Sequence, residues 1–207
     1  MSQQGRRMPF LEKTGQVLYG SLKHGRAAVF AAVLVPLVAM AVSPVVAAPE
    51  GDEGVVPSPC DFATSGGFVR TDGNIEANFG AHGGCKHDGF WGHVNFVDHT
   101  SGYHVDSLEI TAYVTPFQGS NVRDICGLAR TNNPADGQPV AFRIRLVDNG
   151  EPGVADEFGI RLSNEYLVST RLLNDGLGGG GNVQLHEPNR STADSPSSWT
   201  CFGVDAP

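Results

Sequence analysis

The sequence predicts an all-β protein: an antiparallel β-sandwich or, as the alternative, a β-barrel, of about eight or nine short strands after an N-terminal signal helix. Apolar and polar residues alternate with a period of two through most of the chain after residue 60, as in half-buried strands,. Turn residues interrupt this alternation at strand-length intervals, and the chain contains 27 Gly and 13 Pro,. Long helix-forming residues are scarce, and no convincing helix is predicted after the leader.

Residues 1–47 have the pattern of a secretory signal peptide. A basic stretch up to Arg26 precedes an uncharged apolar run over residues 27–42, and Val45 and Ala47 occupy the −3 and −1 sites for cleavage after Ala47,. An uncleaved signal anchor is the alternative, because the apolar run is close to the length that spans a bilayer. In both cases the remainder is exported. This predicts a bacterial protein that is secreted or lies on the extracellular surface, with membrane contact only through an uncleaved leader.

The exported part is strongly acidic. Residues 48–59 are predicted to form a disordered linker, and residues 60–207 form one disulfide-tied β domain,. Of 14 Lys and Arg, five lie in residues 1–47, and of 22 Asp and Glu, one does, which leaves nine against 21 and a net charge of −12. Such a surface repels phosphate backbones and anionic lipids, so nucleic-acid binding is not expected.

The first hairpin is predicted from a turn dipeptide, Asp-Gly, at residues 72–73, which lies between two alternating runs,. A two-residue turn sets Thr71 opposite Asn74, and the same register continued outward sets Cys60 opposite Cys85. Opposed side chains have Cβ atoms about 4.5–5.5 Å apart, near the distance that a disulfide needs. The inward face of this hairpin would hold Phe62, Phe68, Ile75, Ala77 and Phe79.

All four cysteines, Cys60, Cys85, Cys126 and Cys201, lie in the exported part. An even number in an oxidising compartment predicts two disulfides. Because the hairpin register pairs Cys60 with Cys85, the remaining pair is Cys126 with Cys201. No Cys-x-x-Cys is present, so neither a redox pair nor a zinc ribbon is indicated.

Further strands are predicted over residues 90–98, 103–114, 122–129, 140–146, 158–162, 166–173 and 182–186. The apolar phase slips within 105–108, which predicts a β-bulge at Asp106 and Ser107. In the run 140–146, Arg143 and Arg145 alternate with apolar residues, as expected for a half-buried strand.

Two histidines and a carboxylate form a candidate metal site. His99 and His104 flank the loop of the hairpin that residues 90–98 and 103–114 are predicted to form. Together with Asp98 they can offer two imidazoles and one carboxylate to a metal ion. The alternative is that they are polar residues of a hairpin rim, hydrogen-bonded to the backbone.

A turn rich in oxygen ligands is a candidate calcium site, formed by Asp148, Asn149, Glu151, Asp156 and Glu157. Calcium takes six to eight oxygens and tolerates irregular loops, so an ion bound here would have a structural role. The spacing is not that of an EF-hand. The preferred interpretation is a tight turn, in which Asp148 and Asn149 bond their own backbone and Gly150 and Gly153 take positive φ. No other cofactor is suggested.

No catalytic residues are predicted, because the sequence contains neither a Gly-x-Ser-x-Gly elbow nor a His-Glu-x-x-His motif,. Four aromatic residues can form either a carbohydrate-stacking face or parts of core and rim: Trp91, Tyr103, Tyr113 and Trp199. The main hypothesis is a non-catalytic extracellular module with a recognition or structural role, whose candidate ligand is cell-wall material or carbohydrate. The alternative is a metal-dependent extracellular enzyme or metal binder that uses the hairpin His/Asp cluster.

Several motifs occur in an order that resembles a known family. They are Gly-His-Val-Asn-Phe-Val-Asp-His at 92–99, Gly-Tyr-His-Val at 102–105, Val-Asp-Asn-Gly-Glu-Pro-Gly at 147–153 and Gly-Asn-Val-Gln-Leu-His at 181–186. Together they cover roughly residues 79–186 and resemble the post-COAP-type domains of secreted bacterial proteins. The resemblance implies an exported β-rich module without an established activity, and it transfers no catalytic residues. At residues 80–86 the family continues a strand, whereas the Gly/His/Cys composition here predicts a loop.

Overall fold

The structure is a computed structural model that describes residues 54–71, 75–188 and 195–207. The predicted signal peptide, its cleavage site and residues 48–53 of the predicted linker lie outside the described residues. The all-β class is confirmed. Within the described ranges the only helical segment is a single 3-10 turn, Pro134–Asp136.

Nine antiparallel strands form one sheet. In chain order they are β1 Phe62–Arg70, β2 Glu76–Lys86, β3 Gly89–Asp98, β4 Tyr103–Val114, β5 Val122–Thr131, β6 Val140–Val147, β7 Glu157–Leu162, β8 Leu167–Leu172 and β9 Gly180–His186. From β1 to β8 each strand pairs with the next, and β9 returns to pair with the free side of β1. The strand order is therefore β8-β7-β6-β5-β4-β3-β2-β1-β9.

The sheet curls into a half-barrel. Phe79 of β2 and Phe158 of β7 stack with ring centroids 3.8 Å apart, although four strands separate them in the sheet. Phe96 of β3 lies 6.2 Å from Phe158. The concave side therefore encloses a single apolar core, which includes Val69, Val94, Phe142, Ile144, Leu146 and Ile160. The predicted sandwich is not shown by this single curled sheet.

The first hairpin pairs one residue away from the predicted register. Phe68 lies opposite Asn78 rather than Ala77. The Thr71 N–H donates to the Ile75 carbonyl at 3.0 Å, so three residues, not two, separate the last bonded positions. The predicted register was therefore wrong by one residue; the turn residues themselves, 72–74, lie outside the described residues.

This shift turns β1 over, because moving a strand by one residue exchanges its two faces. Ala63 and Val69 are buried in the core. Phe62 and Phe68, which were predicted to point inward, lie on the outer side and are only partly buried. The outer surface of β1 is consequently more aromatic than the sequence predicted.

β2 and β4 differ from expectation in detail. The loop predicted at residues 80–86 is wrong, since β2 continues through this stretch and pairs with β1 and β3. A Cβ at Gly83 would lie 2.8 Å from Ile125, so this glycine allows the strand to pack closely on the core. In β4 the register shifts between Ser107 and Glu109, next to the predicted bulge, and again between Ile110 and Ala112.

Both predicted disulfides are present, Cys60–Cys85 and Cys126–Cys201. The first forms despite the shifted register, because Cys60 precedes the first paired residue of β1 and its Cα can approach that of Cys85 to 5.7 Å. Residues 54–59 of the predicted linker are ordered against the domain. Val55 forms an antiparallel bridge with Thr115, which corrects the linker prediction for this part.

The C-terminal segment, residues 199–207, crosses the outer side of the sheet and is called the strap. It contacts β4 where the Thr111 hydroxyl donates to the Thr200 carbonyl at 2.7 Å, and Cys201 bonds it to β5. It then reaches β8, where the Thr170 hydroxyl donates to the Pro207 carbonyl at 2.7 Å. Part of the outer surface formed by β4 to β8 therefore lies beneath the strap.

Candidate functional site

The carboxylate of Asp98, predicted as a metal ligand, is buried and closes the β3–β4 turn. It accepts hydrogen bonds from the Thr100 N–H at 2.8 Å, the Ser101 hydroxyl at 2.7 Å and the Tyr166 hydroxyl at 3.1 Å. Burial raises the pKa of Asp98, but these hydrogen bonds lower it by more than burial raises it. The net result is a pKa below the usual value,. This carboxylate is held as an anion by the protein's own donors.

The two histidines predicted to complete that site are exposed. His104 lies opposite Val97, and Asp98 lies opposite Tyr103. Because successive residues of a strand point to opposite faces, His104 and Asp98 project from opposite sides of the sheet. His99 contacts the side-chain oxygen of Asn78 on the outer side. Among the described residues, no three His, Cys, Asp or Glu side chains are grouped so that they could hold a metal ion.

The candidate calcium turn bonds to β9. Asp148 accepts a hydrogen bond from the Leu185 N–H at 2.7 Å, and Asp156 accepts one from the Val183 N–H at 2.6 Å. The second oxygen of each carboxylate accepts a backbone N–H of the turn itself at 2.9 Å. The N–H groups of Val183 and Leu185 lie on the edge of β9 that does not face β1. The two carboxylates therefore accept hydrogen bonds from backbone donors that a neighbouring strand would bond in the interior of a sheet.

The remaining residues of the turn support the tight-turn interpretation. The Asn149 side chain donates to the Ala155 carbonyl at 2.6 Å, and Glu151 accepts from Asn182 at 3.2 Å. Glu157 begins β7. Gly150 and Gly153 have φ of 96° and 76°, as predicted for this turn. The cluster therefore closes the curled sheet at β9.

Beside β1, β4 and β5, buried polar side chains form a closed network. The guanidinium of Arg123 forms an ion pair with Asp61, and its Nη1 donates to the Ser120 carbonyl at 2.6 Å. The Tyr113 hydroxyl donates to Asp61 at 2.7 Å. Burial, together with the nearby Asp61, raises the pKa of Tyr113 well above its usual value. This tyrosine is a neutral donor within the core rather than part of a stacking surface.

A cavity of about 630 Å³ lies at the β3–β4 turn and is lined by Tyr103 and Tyr166. Their rings stack with centroids 4.9 Å apart. The Tyr103 hydroxyl donates to Asp136 at 2.6 Å, and that of Tyr166 donates to Asp98. Burial and these carboxylates raise the pKa of both tyrosines. Their hydroxyls are thus occupied as donors and are poorly suited to accept a proton from a substrate.

The outward side chains of β9, β1, β2 and β3 form a different surface, called here the open face. The strand register arranges them in rows that run across the four strands. The first row contains His186, Phe62, Gly84 and Trp91, the second Gln184, Thr64, His82 and His93, and the third Asn182, Gly66, Gly80 and Asn95. His82, His93, Asn95 and Gln184 are exposed.

The first row is an aromatic platform. The Phe62 ring stacks on His186 with centroids 4.3 Å apart and planes 6° from parallel, and it lies 5.8 Å from the Trp91 ring. Gly84 lies between the rings: a Cβ there would be 2.6 Å from the Phe62 Cβ and 3.0 Å from the Trp91 Cζ2. Only glycine therefore allows the two rings to meet. The Trp91 indole nitrogen has no partner among the described residues, so ring contacts hold this side chain.

The third row provides a flat floor beside the platform. Gly66 and Gly80 lie opposite each other in β1 and β2. A Cβ at Gly80 would meet nothing within 4 Å, and one at Gly66 would approach only the Phe79 carbonyl, at 3.8 Å. The core does not require glycine at these positions. Their effect is to leave a shallow trough between the amides of Asn182 and Asn95.

The sequence identified only part of this surface. Trp91 was named as a possible stacking residue, but Tyr113 is in the core, Tyr103 lines the cavity at the β3–β4 turn, and Trp199 packs beneath the outer side of β4. Phe62 was missed because the predicted register placed it inward. The alternation along β1 correctly indicated that residues 62, 64, 66 and 68 share one face and that residues 63 and 69 share the other. Which face points outward depends on the length of the turn.

No family model, no curated protein and no solved structure matches the chain. No helix within the described ranges is long and apolar enough to cross a membrane. The function must therefore be inferred from the geometry of the open face.

Proposed function

We propose that the protein is an exported, non-catalytic β module that recognises carbohydrate through its open face. The observation that carries the proposal is the aromatic platform of Phe62, Trp91 and His186, set beside a glycine-floored trough that side-chain amides border.

This combination matches the chemistry of sugars. A pyranose ring presents an apolar C–H face, which packs on an aromatic ring, and hydroxyls around its edge, which pair with groups that both donate and accept. The exposed amides of Asn95 and Gln184 offer both functions, whereas the amide of Asn182 already donates to Glu151. Because all these residues project from paired strands, little conformational entropy is lost when a ligand binds.

The dimensions favour a chain of sugars. Neighbouring strands lie about 4.8 Å apart, so the four strands from β9 to β3 span roughly 14 Å. A surface of that extent, open at its sides, suits an oligosaccharide or polysaccharide better than a single sugar, which usually needs an enclosed pocket.

The expected compartment is consistent with this role. Two disulfides suit an oxidising, extracellular environment,. The signal peptide predicted over residues 1–47 would deliver the domain there, to cell-wall or other extracellular polysaccharide. The resemblance to post-COAP-type domains supports an exported module in the same way.

The buried carboxylates support a binding role rather than hydrolysis. Asp61, Asp98, Asp148 and Asp156 accept hydrogen bonds from the protein's own donors. We therefore assign them to the fold.

Affinity electrophoresis against a panel of soluble polysaccharides, followed by pull-down with insoluble cell-wall material, tests the proposal. We expect at least one polymer to retard the protein. Trp91→Ala should weaken that retardation by roughly tenfold or more, since stacked aromatic contacts dominate such surfaces. Gly80→Leu should also weaken it, by filling the trough without touching the core.

Phe117→Ala is the matched control, because Phe117 is an aromatic residue 65% exposed in the β4–β5 loop, outside the open face. It should leave retardation unchanged. Equal losses in Trp91→Ala and Phe117→Ala, or no retardation by any polymer, would contradict the proposal.

A further inference from the structure

The open face carries a lysine beside its aromatic platform. Lys86 is the only lysine after the leader. It ends β2, beside the platform, and its Nζ lies 5.6 Å from the centroid of the Trp91 ring. The domain otherwise carries a large excess of carboxylates, so a lone lysine at the best stacking ring is an unusual placement.

Histidines concentrate on the same side. Six histidines lie in the described residues: His82, His93, His104 and His186 on β2, β3, β4 and β9, His87 in the β2–β3 turn and His99 just after β3. His82 lies between the rings of Trp91 and His93, with centroids 6.1 Å and 6.3 Å away. Each imidazole provides an N–H donor in every protonation state and a positive charge when protonated.

Two of the carboxylates near this surface, Asp106 and Glu76, are paired with cations of the protein, whereas Asp88 in the β2–β3 turn and Glu187 after β9 are exposed. Asp106, beside the third row, bonds Arg130 at 2.9 Å and lies 3.4 Å from His93. Glu76, at the far end of β2, bonds Arg70 at 3.1 Å. The first and second rows themselves contain no carboxylate. A negative group at the Trp91 end would therefore meet Lys86 and imidazole N–H groups.

We propose that the open face prefers acidic glycans, whose sugar ring stacks on Trp91 while an anionic substituent bonds Lys86 and His82. This inference rests on the proposed carbohydrate function and adds the ligand class. The shared chemistry is an anion attached to a sugar ring. A uronic carboxylate and a sulfate ester are two sources of it, which the experiment below separates.

Two matched polymer pairs test this preference in affinity electrophoresis: polygalacturonate against its carboxyl-reduced form, and dextran sulfate against dextran. We expect the charged member of at least one pair to retard the protein more strongly than its neutral partner. A difference within the polygalacturonate pair identifies a carboxylate as the recognised anion, and a difference within the dextran pair identifies a sulfate ester. Raising the salt concentration should reduce the difference, because screening weakens exposed charge pairs.

Lys86→Gln should weaken retardation by the acidic polymer roughly fivefold, as expected for one exposed charge pair, and leave retardation by the neutral polymer unchanged. Arg161→Gln is the control: it removes the same charge from β7, where Arg161 pairs with Asp205 of the strap, and should have no effect. Equal retardation by charged and neutral members, or equal losses in both variants, would overturn the preference while the carbohydrate function stands. If no polymer retards the protein, both proposals fail.

Discussion

The two halves of the outer sheet surface differ in what lies over them. On β4 to β8 the strap and residues 54–57 add a layer, and charged side chains beneath it are buried. Arg143 is only 6% exposed and bonds Asp124, which is 1% exposed. On β9 and β1 to β3 the corresponding outward positions carry glycines, imidazoles and rings that solvent reaches.

The comparison shows that strand alternation alone does not decide what a polar outward residue does. Arg143 and His93 both alternate with buried apolar neighbours. Arg143 donates to the Val204 carbonyl of the strap, at 3.3 Å, and stabilises the fold. His93 remains exposed, and its ring nitrogens contact the partly exposed side chains of Ser107 and Asp106. The strap, which Cys126–Cys201 bonds to β5, therefore decides which outward charges are buried and structural.

The largest expected effect comes from removing a carboxylate beneath the strap. Asp124 pairs with both Arg143 and Arg145, at 2.6 Å and 2.8 Å. Asp124→Ala leaves two guanidinium groups without this partner, and we expect the free energy of unfolding to fall by about 3–5 kcal/mol. Urea denaturation at pH 7 measures this change.

Asp106→Ala is the matched control, because Asp106 lies in β4 at a position that the strap leaves exposed. Asp106 also pairs with an arginine, Arg130, but both side chains are substantially exposed. The loss should stay within about 1 kcal/mol. Similar losses in the two variants would show that burial beneath the strap does not make the Asp124 ion pairs more important than an exposed pair.

A smaller effect is expected where the open half ends, at the outer edge of β9. Asp156 is fully buried and accepts the N–H groups of Val183 and Asn149. Asp156→Ala leaves these donors without that acceptor and should cost about 1–3 kcal/mol in urea denaturation. Glu151→Ala, in the same turn but exposed, should change stability by no more than about 0.5 kcal/mol. If Glu151→Ala lowered the free energy of unfolding as much as Asp156→Ala, the buried carboxylate would have no special role in stabilising this turn.

The sequence predicted the class, most strand positions and both disulfides, because alternation and cysteine count are local signals. Residues 140–146, for example, were assigned to a strand that the structure extends by a single residue, to Val147. The burial of Arg143 could not be predicted, since nothing local shows that residue 204 returns to cover it.

The candidate site was only partly predictable for a related reason. A turn longer by one residue inverts β1, so Phe62 changes from a core residue to part of the platform. Likewise, Asp98 and His104 are close in sequence but point to opposite faces. Which residues share a face depends on register, and register depends on turn length rather than on composition.

The smallest expected effect is a pH dependence at the turn between β3 and β4, which borders the two halves. Hydrogen bonds lower the folded-state pKa of Asp98, so its contribution to stability is present above the usual Asp pKa of about 3.9 and is lost as pH falls through the lowered value,. Asp98→Asn should therefore be less stable than the parent at pH 7, and the gap should narrow as pH falls from about 5 to 3 in a urea series. Asp205→Asn, whose side chain is 86% exposed, should keep a constant gap. A stability difference between Asp98→Asn and the parent that stays constant with pH would contradict this prediction. It would show that the negative charge of Asp98 does not stabilise the turn.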